Sequence, residues 1–148
     1  MAVDSRSEEN IKTLHQEVQP LAAKLIESAL AQGINAKIIG GSRTYAEQDA
    51  LYAQGRTTPG KIVTQAKGGQ SWHNFGLAFD VGIFSRDSKV YYGESAAYRE
   101  LGKLGQALGL QWGGDWKFVD EPHFQYNPKG YTLAQLRERV ANGQNLFT

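Results

Sequence analysis

Apolar positions recur at helical spacing through the first thirty residues. Ile11, Leu14 and Val18 share one face, and Ser5 with Glu8, or Ser7 with the acidic residues after it, predicts an N-terminal cap. Pro20 fits poorly in a helix interior and well at a first turn, so a second helix is predicted to start there. Leu21, Leu25 and Ala29, with Ala22, Ile26 and Leu30, form its apolar stripe, and Gly33 ends it. Residues 36–39 read as a short strand closed by Gly40 and Gly41. Thr44 and Glu47 are spaced as a capping box, opening a helix through about residue 54 with Gly55 as its stop. Residues 56–72 lose all periodicity and are rich in Gly, Thr, Lys and Gln. A loop of about seventeen residues inside a compact domain is usually functional or mobile. Residues 77–84 alternate as a strand, and a turn at 87–89 leads to a second strand at 90–92. A helix follows over 95–108 with Tyr98, Leu101, Leu104 and Leu108 inward. Short strands are predicted at 111–113 and 124–126, and a last helix at 132–141 is capped by Thr132 and stopped by Gly143. Helices and strands mixed without regular βαβ alternation predict an α+β fold.

Composition narrows the chemistry. A chain of 148 residues and 16.3 kDa is expected to form a single domain, 1–148. Lys and Arg number 16 and Asp and Glu 15, a net charge of +1, so no global field draws the protein onto nucleic acid or an anionic membrane. With no cysteine, disulfide frameworks, thiolate zinc sites, iron–sulfur clusters and Cys nucleophiles are excluded, and a metal site must use His, Asp or Glu. No run approaches about 18 apolar residues, so no membrane insertion is expected. The polar, acidic start MAVDSRSEEN lacks the basic and apolar regions of a signal peptide, so synthesis in the cytoplasm is expected, with release by other means.

Two of the three histidines stand in unusual surroundings. His73 and Asp80 are seven residues apart; on one straight helix they would be separated by about 10.5 Å, too far to share a zinc ion. Gly76 permits a bend between a loop carrying His73 and a strand carrying Asp80. Asp80 lies between Phe79 and Val81, where a buried unpaired carboxylate would be costly. A metal would neutralise it, whereas an outward-facing strand position would need none. His123 follows Asp120, Glu121 and Pro122, and could add a third ligand with a fourth position left open, as in catalytic zinc sites. A carboxylate beside it could act as general base. Strand alternation favours Glu121, a turn at Pro122 favours Asp120, and periodicity does not choose. Arg43, at the mouth of a predicted helix, could grip a carboxylate or an oxyanion, or lie on the surface. The run from Trp112 to Trp116 could wall a cleft or fill a core turn. His15 reads as structural.

Taken together, Ser71-x-His73-x-x-Gly76-x-Ala78-x-Asp80 and Asp120-x-Pro122-His123-Phe124 resemble the zinc peptidoglycan peptidases of the D-Ala-D-Ala carboxypeptidase family, which share a fold with the zinc domain of hedgehog proteins. The strings from Gly41 to Gln48, Leu51 to Thr57, Lys67 to Ser71 and Trp112 to Trp116 resemble the L-alanyl-D-glutamate endopeptidase branch, which includes phage endolysins and a bacterial wall hydrolase. The resemblance runs from about Arg6 to Gln125. It implies a small antiparallel sheet flanked by helices, and Zn²⁺ held by His73, Asp80 and His123. It implies Asp120, three residues before the last His, as the base, and Arg43 as the oxyanion or carbonyl partner. Gln48 and Ser71 are implied to line the substrate groove, and Trp72 and Trp112 are expected as further substrate contacts. Trp72 departs from the family, where Asn is usual. The implied reaction is amide hydrolysis in the stem peptide of peptidoglycan: L-alanyl-D-glutamate cleavage, with D-alanyl-D-alanine carboxypeptidase or dipeptidase action as the alternative and a non-catalytic zinc domain as a third reading. The expected enzyme is a monomer without a separate wall-binding module. It would act on the cell wall after release, in the periplasm if the host is Gram-negative.

Overall fold

A computed structural model describes residues 3–93 and 95–147. Five antiparallel strands form the sheet: β1 (Ala36–Gly40), β2 (Ala78–Phe84), β3 (Tyr91–Tyr92), β4 (Gln111–Trp112) and β5 (His123–Gln125). Their order is β1-β2-β5-β4, with β3 also pairing with β2. The helices are α1 (Ser5–Lys12), α2 (Gln19–Ala31), α3 (Tyr45–Ala53), α4 (Ala97–Ala107) and α5 (Leu133–Ala141). The small antiparallel sheet among helices agrees with the α+β expectation.

Most element boundaries follow from local chemistry. Thr44 and Thr132 each close a complete capping box, with Glu47 and Gln135. Pro20 lies in the first turn of α2. The first helix differs from expectation: its cap is Asp4, whose carboxylate accepts from Ser7 N at 3.0 Å, and the helix ends at Lys12. Leu14 and Val18 are buried beyond α1 in the turn that leads to α2. Their helical spacing therefore reflects one shared core, not one continuous helix.

Strand β2 is the axis of the molecule. Phe79, Val81 and Ile83 face the core and are almost wholly buried, whereas Asp80 is partly exposed on the opposite face. Phe79 stacks on Phe124 of β5 with centroids 5.8 Å apart. Helix α4 comes unusually close to β4 and β5. A Cβ on Gly102 would fall on the Trp112 ring, and one on Gly105 would stand 2.5 Å from Phe124 Cε1. Gly→Ala inside a helix ordinarily gains up to about 1 kcal/mol, but overpacking a core costs about 1–3 kcal/mol. Gly105→Ala is therefore expected to lower stability, by up to ~2 kcal/mol, in a urea unfolding titration.

Candidate active site

The sheet register brings together residues that are far apart in the chain. Asp80 pairs with His123 of β5 on one side and with Gly40 of β1 on the other. Directly opposed residues of an antiparallel pair project to the same face, their Cβ atoms about 5 Å apart. Gly40 offers no side chain there, and an added Cβ would stand 3.2 Å from Asp80 Oδ2. His73 arrives from a single 3₁₀ turn, Trp72–Phe75, which Ser71 caps and Gly76 ends at φ 71°. That left-handed residue supplies the bend between His73 and β2 that the sequence suggested.

The three donors converge. His73 Nε2 lies 3.4 Å from Asp80 Oδ2, and His123 Nδ1 lies 3.7 Å from Asp80 Oδ1. One ligand atom from each of the three lies within 4.8 Å of the others. Two ligands on a tetrahedral zinc at 2.0–2.2 Å stand about 3.3–3.6 Å apart, close to the two imidazole–carboxylate distances here. The far nitrogen of each imidazole is already committed. His73 Nδ1–H donates to the Gly41 carbonyl at 2.9 Å. His123 Nε2–H donates to Gln125 Oε1 at 2.8 Å, and the Gln125 amide in turn donates to Gln111 Oε1 at 2.8 Å. These bonds select the tautomers that leave His73 Nε2 and His123 Nδ1 as lone pairs facing Asp80. Partners of this kind typically contribute 10–100-fold to metal affinity. Gln125→Leu is accordingly expected to weaken zinc binding by roughly tenfold or more in a competition titration with a chromophoric chelator.

Charge around the cluster is unevenly placed. In the metal-free protein burial disfavours ionisation of Asp80, but His73 in its protonated form, by hydrogen bond and charge, with His123 and Arg43, outweighs it and holds the carboxyl below its ordinary 3.8. Burial, reinforced by His73, pushes His123 below its ordinary 6.5, against the pull of Gln125, Asp80 and Asp120. A depressed histidine pKa means that the unfolded chain binds more protons in that window. The His123 contribution to stability is thus full above about pH 6.5 and lost as pH falls through the folded value. Melts of the metal-free protein should show Tm falling below about pH 6.5, and His123→Gln should flatten that limb.

Asp120 sits just outside the donor cluster. Its side chain is about half exposed, with Oδ2 4.0 Å from His123 Nδ1. Burial first, then the charge of Asp80, raises its carboxyl above the ordinary 3.8, against His123, His73 and Arg43. Its backbone is fixed: Asp120 N donates to the Gly113 carbonyl at 2.9 Å, and a Cβ at Gly113 would collide with the Asp120 carbonyl. Glu121 does not take this place. Strand β5 begins only at His123, so the alternation that favoured Glu121 does not extend back to it, and its carbonyl accepts from Trp112 Nε1 at 2.7 Å.

The cluster lies in a cleft of about 550 Å³ whose walls include Arg43, Ser71, Trp72, Trp116 and Asp120. Arg43 Nη2 is 3.4 Å from Asp80 Oδ2, and Nη1 donates to Gln48 Oε1 at 3.3 Å. Two of the expected substrate contacts need correction. Gln48 is fully buried and does not line the cleft; its Nε2 donates to the Ala66 carbonyl at 2.9 Å while its carbonyl holds Arg43. Trp112 is a core residue against α4, and Trp116 lines the cleft in its stead. Asn74 escaped the sequence reading. Its carbonyl accepts from Gly69 N and Ser71 N at 3.0 and 3.1 Å, and its amide donates to the Arg43 carbonyl at 3.1 Å, so one side chain ties three parts of the cleft together. Its only local signal was its place three residues after Ser71. Gln125 gave none.

The sequence pattern of the D-alanyl-D-alanine carboxypeptidase family matches residues 64–126, the stretch that carries His73, Asp80, Asp120 and His123. A peptidoglycan L-alanyl-D-glutamate endopeptidase of Bacillus subtilis, CwlK, is 41% identical over 124 residues, covering 78% of this chain and 74% of that protein. An L-alanyl-D-glutamate peptidase of Listeria phage A118 is 34% identical over 86% of this chain, which spans 43% of the phage protein. Among solved structures, the L-Ala D-Glu endopeptidase ChiX of Serratia marcescens superposes with a TM-score of 0.62 at 23% identity, covering 82% of this chain and 86% of that one, a likeness of fold. Identity at this level, sustained over most of both sequences, reflects common descent, and the chain belongs to the D-alanyl-D-alanine carboxypeptidase family of peptidases.

Proposed function

We propose that this chain is a zinc-dependent peptidoglycan endopeptidase that hydrolyses the L-alanyl-D-glutamate bond of the stem peptide. The observation that carries the reading is the pair of tautomer-fixed imidazoles and one carboxylate, spaced for zinc, at the floor of an open cleft with a further carboxylate beside them. His73, Asp80 and His123 would hold the ion, which when bound would supply a Lewis acid for the scissile carbonyl and for water. Asp120, raised in pKa and open to the cleft, takes the proton of the attacking water and delivers it to the departing amine. Arg43, steadied by Gln48 and Asp80, keeps N–H groups free for the developing oxyanion. Water and amide are consumed, and a carboxylate and an amine are released.

Cleavage within the chain is favoured over removal of a terminal D-alanine by the charge of the walls. A carboxypeptidase must bind a free terminal carboxylate. Among the described residues lining the cleft, Arg43 is the one Lys or Arg, and the oxyanion role assigned to it leaves no second cation for a terminal carboxylate. Digestion of purified peptidoglycan with mass analysis of the fragments tests this. New D-glutamate amino ends are expected; release of free D-alanine would instead establish the carboxypeptidase reaction.

A further inference from the structure

The loop from Gly113 to Asp120 carries an apolar surface that the hydrolytic chemistry does not use. Phe118 is 85% exposed and Val119 65%, next to Trp116, which is 37% exposed. The loop is anchored. The Gly113 carbonyl accepts from Trp116 N at 3.3 Å and from Asp120 N at 2.9 Å, and Asp115 Oδ2 accepts from Gln106 Nε2 of α4 at 2.5 Å. Phe118 and Val119 are thus held out on an anchored loop, two and three residues after Trp116, where apolar side chains so exposed are candidates for contact with a ligand. Trp116 of the same loop lines the cleft, and its ring lies 4.9 Å from that of His123.

The cleft lining combines Thr64, Gln70 and Ser71, whose hydroxyls and amide suit a peptide backbone, with the flat aromatic faces of Trp72 and Trp116. In peptidoglycan the L-alanine nitrogen is amide-linked to the lactyl group of a muramyl sugar. If the bond cut is L-alanyl-D-glutamate, a pyranose lies one residue and one lactyl unit from it, roughly 7–11 Å at the reach of an extended chain. The C–H face of a pyranose is apolar and slightly positive, and it complements the negative face of an aromatic ring. We infer that Trp116, Phe118 and Val119 form a saccharide subsite for the muramyl unit, so that the enzyme prefers stem peptides still joined to glycan. This rests on the L-alanyl-D-glutamate reading above.

The test compares kcat/KM on a disaccharide-linked stem peptide and on the same peptide without sugar, together with an NMR titration of the zinc-free protein with peptide-free glycan strands. The wild type is expected to favour the glycan-linked substrate by roughly tenfold, and Phe118→Ser to bring that ratio close to one. Glycan strands should shift the Trp116 indole resonance in the wild type and not in Phe118→Ser. Equal rates on both substrates with no indole shift would overturn the subsite. Self-association that disappears in Phe118→Ser, with no response to glycan, would assign the patch to a second copy of the chain and also overturn it. If neither substrate is cut at the alanyl–glutamate bond, the proposed function fails, and glycan binding by the zinc-free protein still decides the surface on its own.

Discussion

His73→Ala is expected to abolish hydrolysis and to remove the protein's thermal response to zinc. The donor spacing brings three ligand atoms close together, and all three residues line the cleft. Losing one imidazole leaves two ligands, too few for a site that must hold zinc against water. Wild-type protein stripped by a chelator should be inactive and recover with one equivalent of zinc. A ligand that binds only the folded state at a thousandfold excess over its Kd adds about 4.1 kcal/mol. For a chain of about this size that is roughly 8–16 °C in Tm. The variant should show no such rise. It should still fold, because Asp80 keeps Arg43 as a partner and the core beneath β2 is apolar and intact. A chelated wild type that continued to cleave peptidoglycan would sink the zinc mechanism.

Asp120→Ala is expected to lower kcat by about 10²–10⁴-fold while zinc remains bound. Asp120 lies beside the donor cluster without being part of it, so its removal leaves the three ligands and their far-side hydrogen bonds untouched. The loss should appear in kcat more than in KM, since the interaction removed is made as the proton moves. Glu121→Ala is the matching control. It removes a carboxylate one residue away whose backbone carbonyl, not its side chain, bonds Trp112 Nε1. Stoichiometric zinc by equilibrium dialysis in Asp120→Ala, with activity lost there and kept in Glu121→Ala, is the expected pattern. Activity lost only in Glu121→Ala would reassign the base.

How much of this was legible in the sequence depends on the range of the interaction involved. Capping boxes at Thr44 and Thr132, the proline opening α2 and the alternation through Phe79, Asp80 and Val81 are signals that span a few residues. The resemblance of the surrounding motifs to a known peptidase family added His73, Asp80 and His123, which spacing alone had left open. Errors arose where a side chain's fate was set by what packs on it from a distance. Trp112 and Trp116 read alike in sequence, yet α4 covers the first and leaves the second at the cleft. Gln48 stands between Glu47 and Asp49 like a surface residue, yet it is fully buried with its amide bonded to the Ala66 carbonyl.

By itself, then, the sequence determined the element types, the apolar faces and the set of residues able to bind a metal. Tertiary structure alone decided the register that sets Asp80 beside His123 and the imidazole nitrogens left free. Local periodicity is a property of one segment, whereas register, tautomer and burial are properties of pairs of segments. The pairing energy that fixes them is present only once the strands have met.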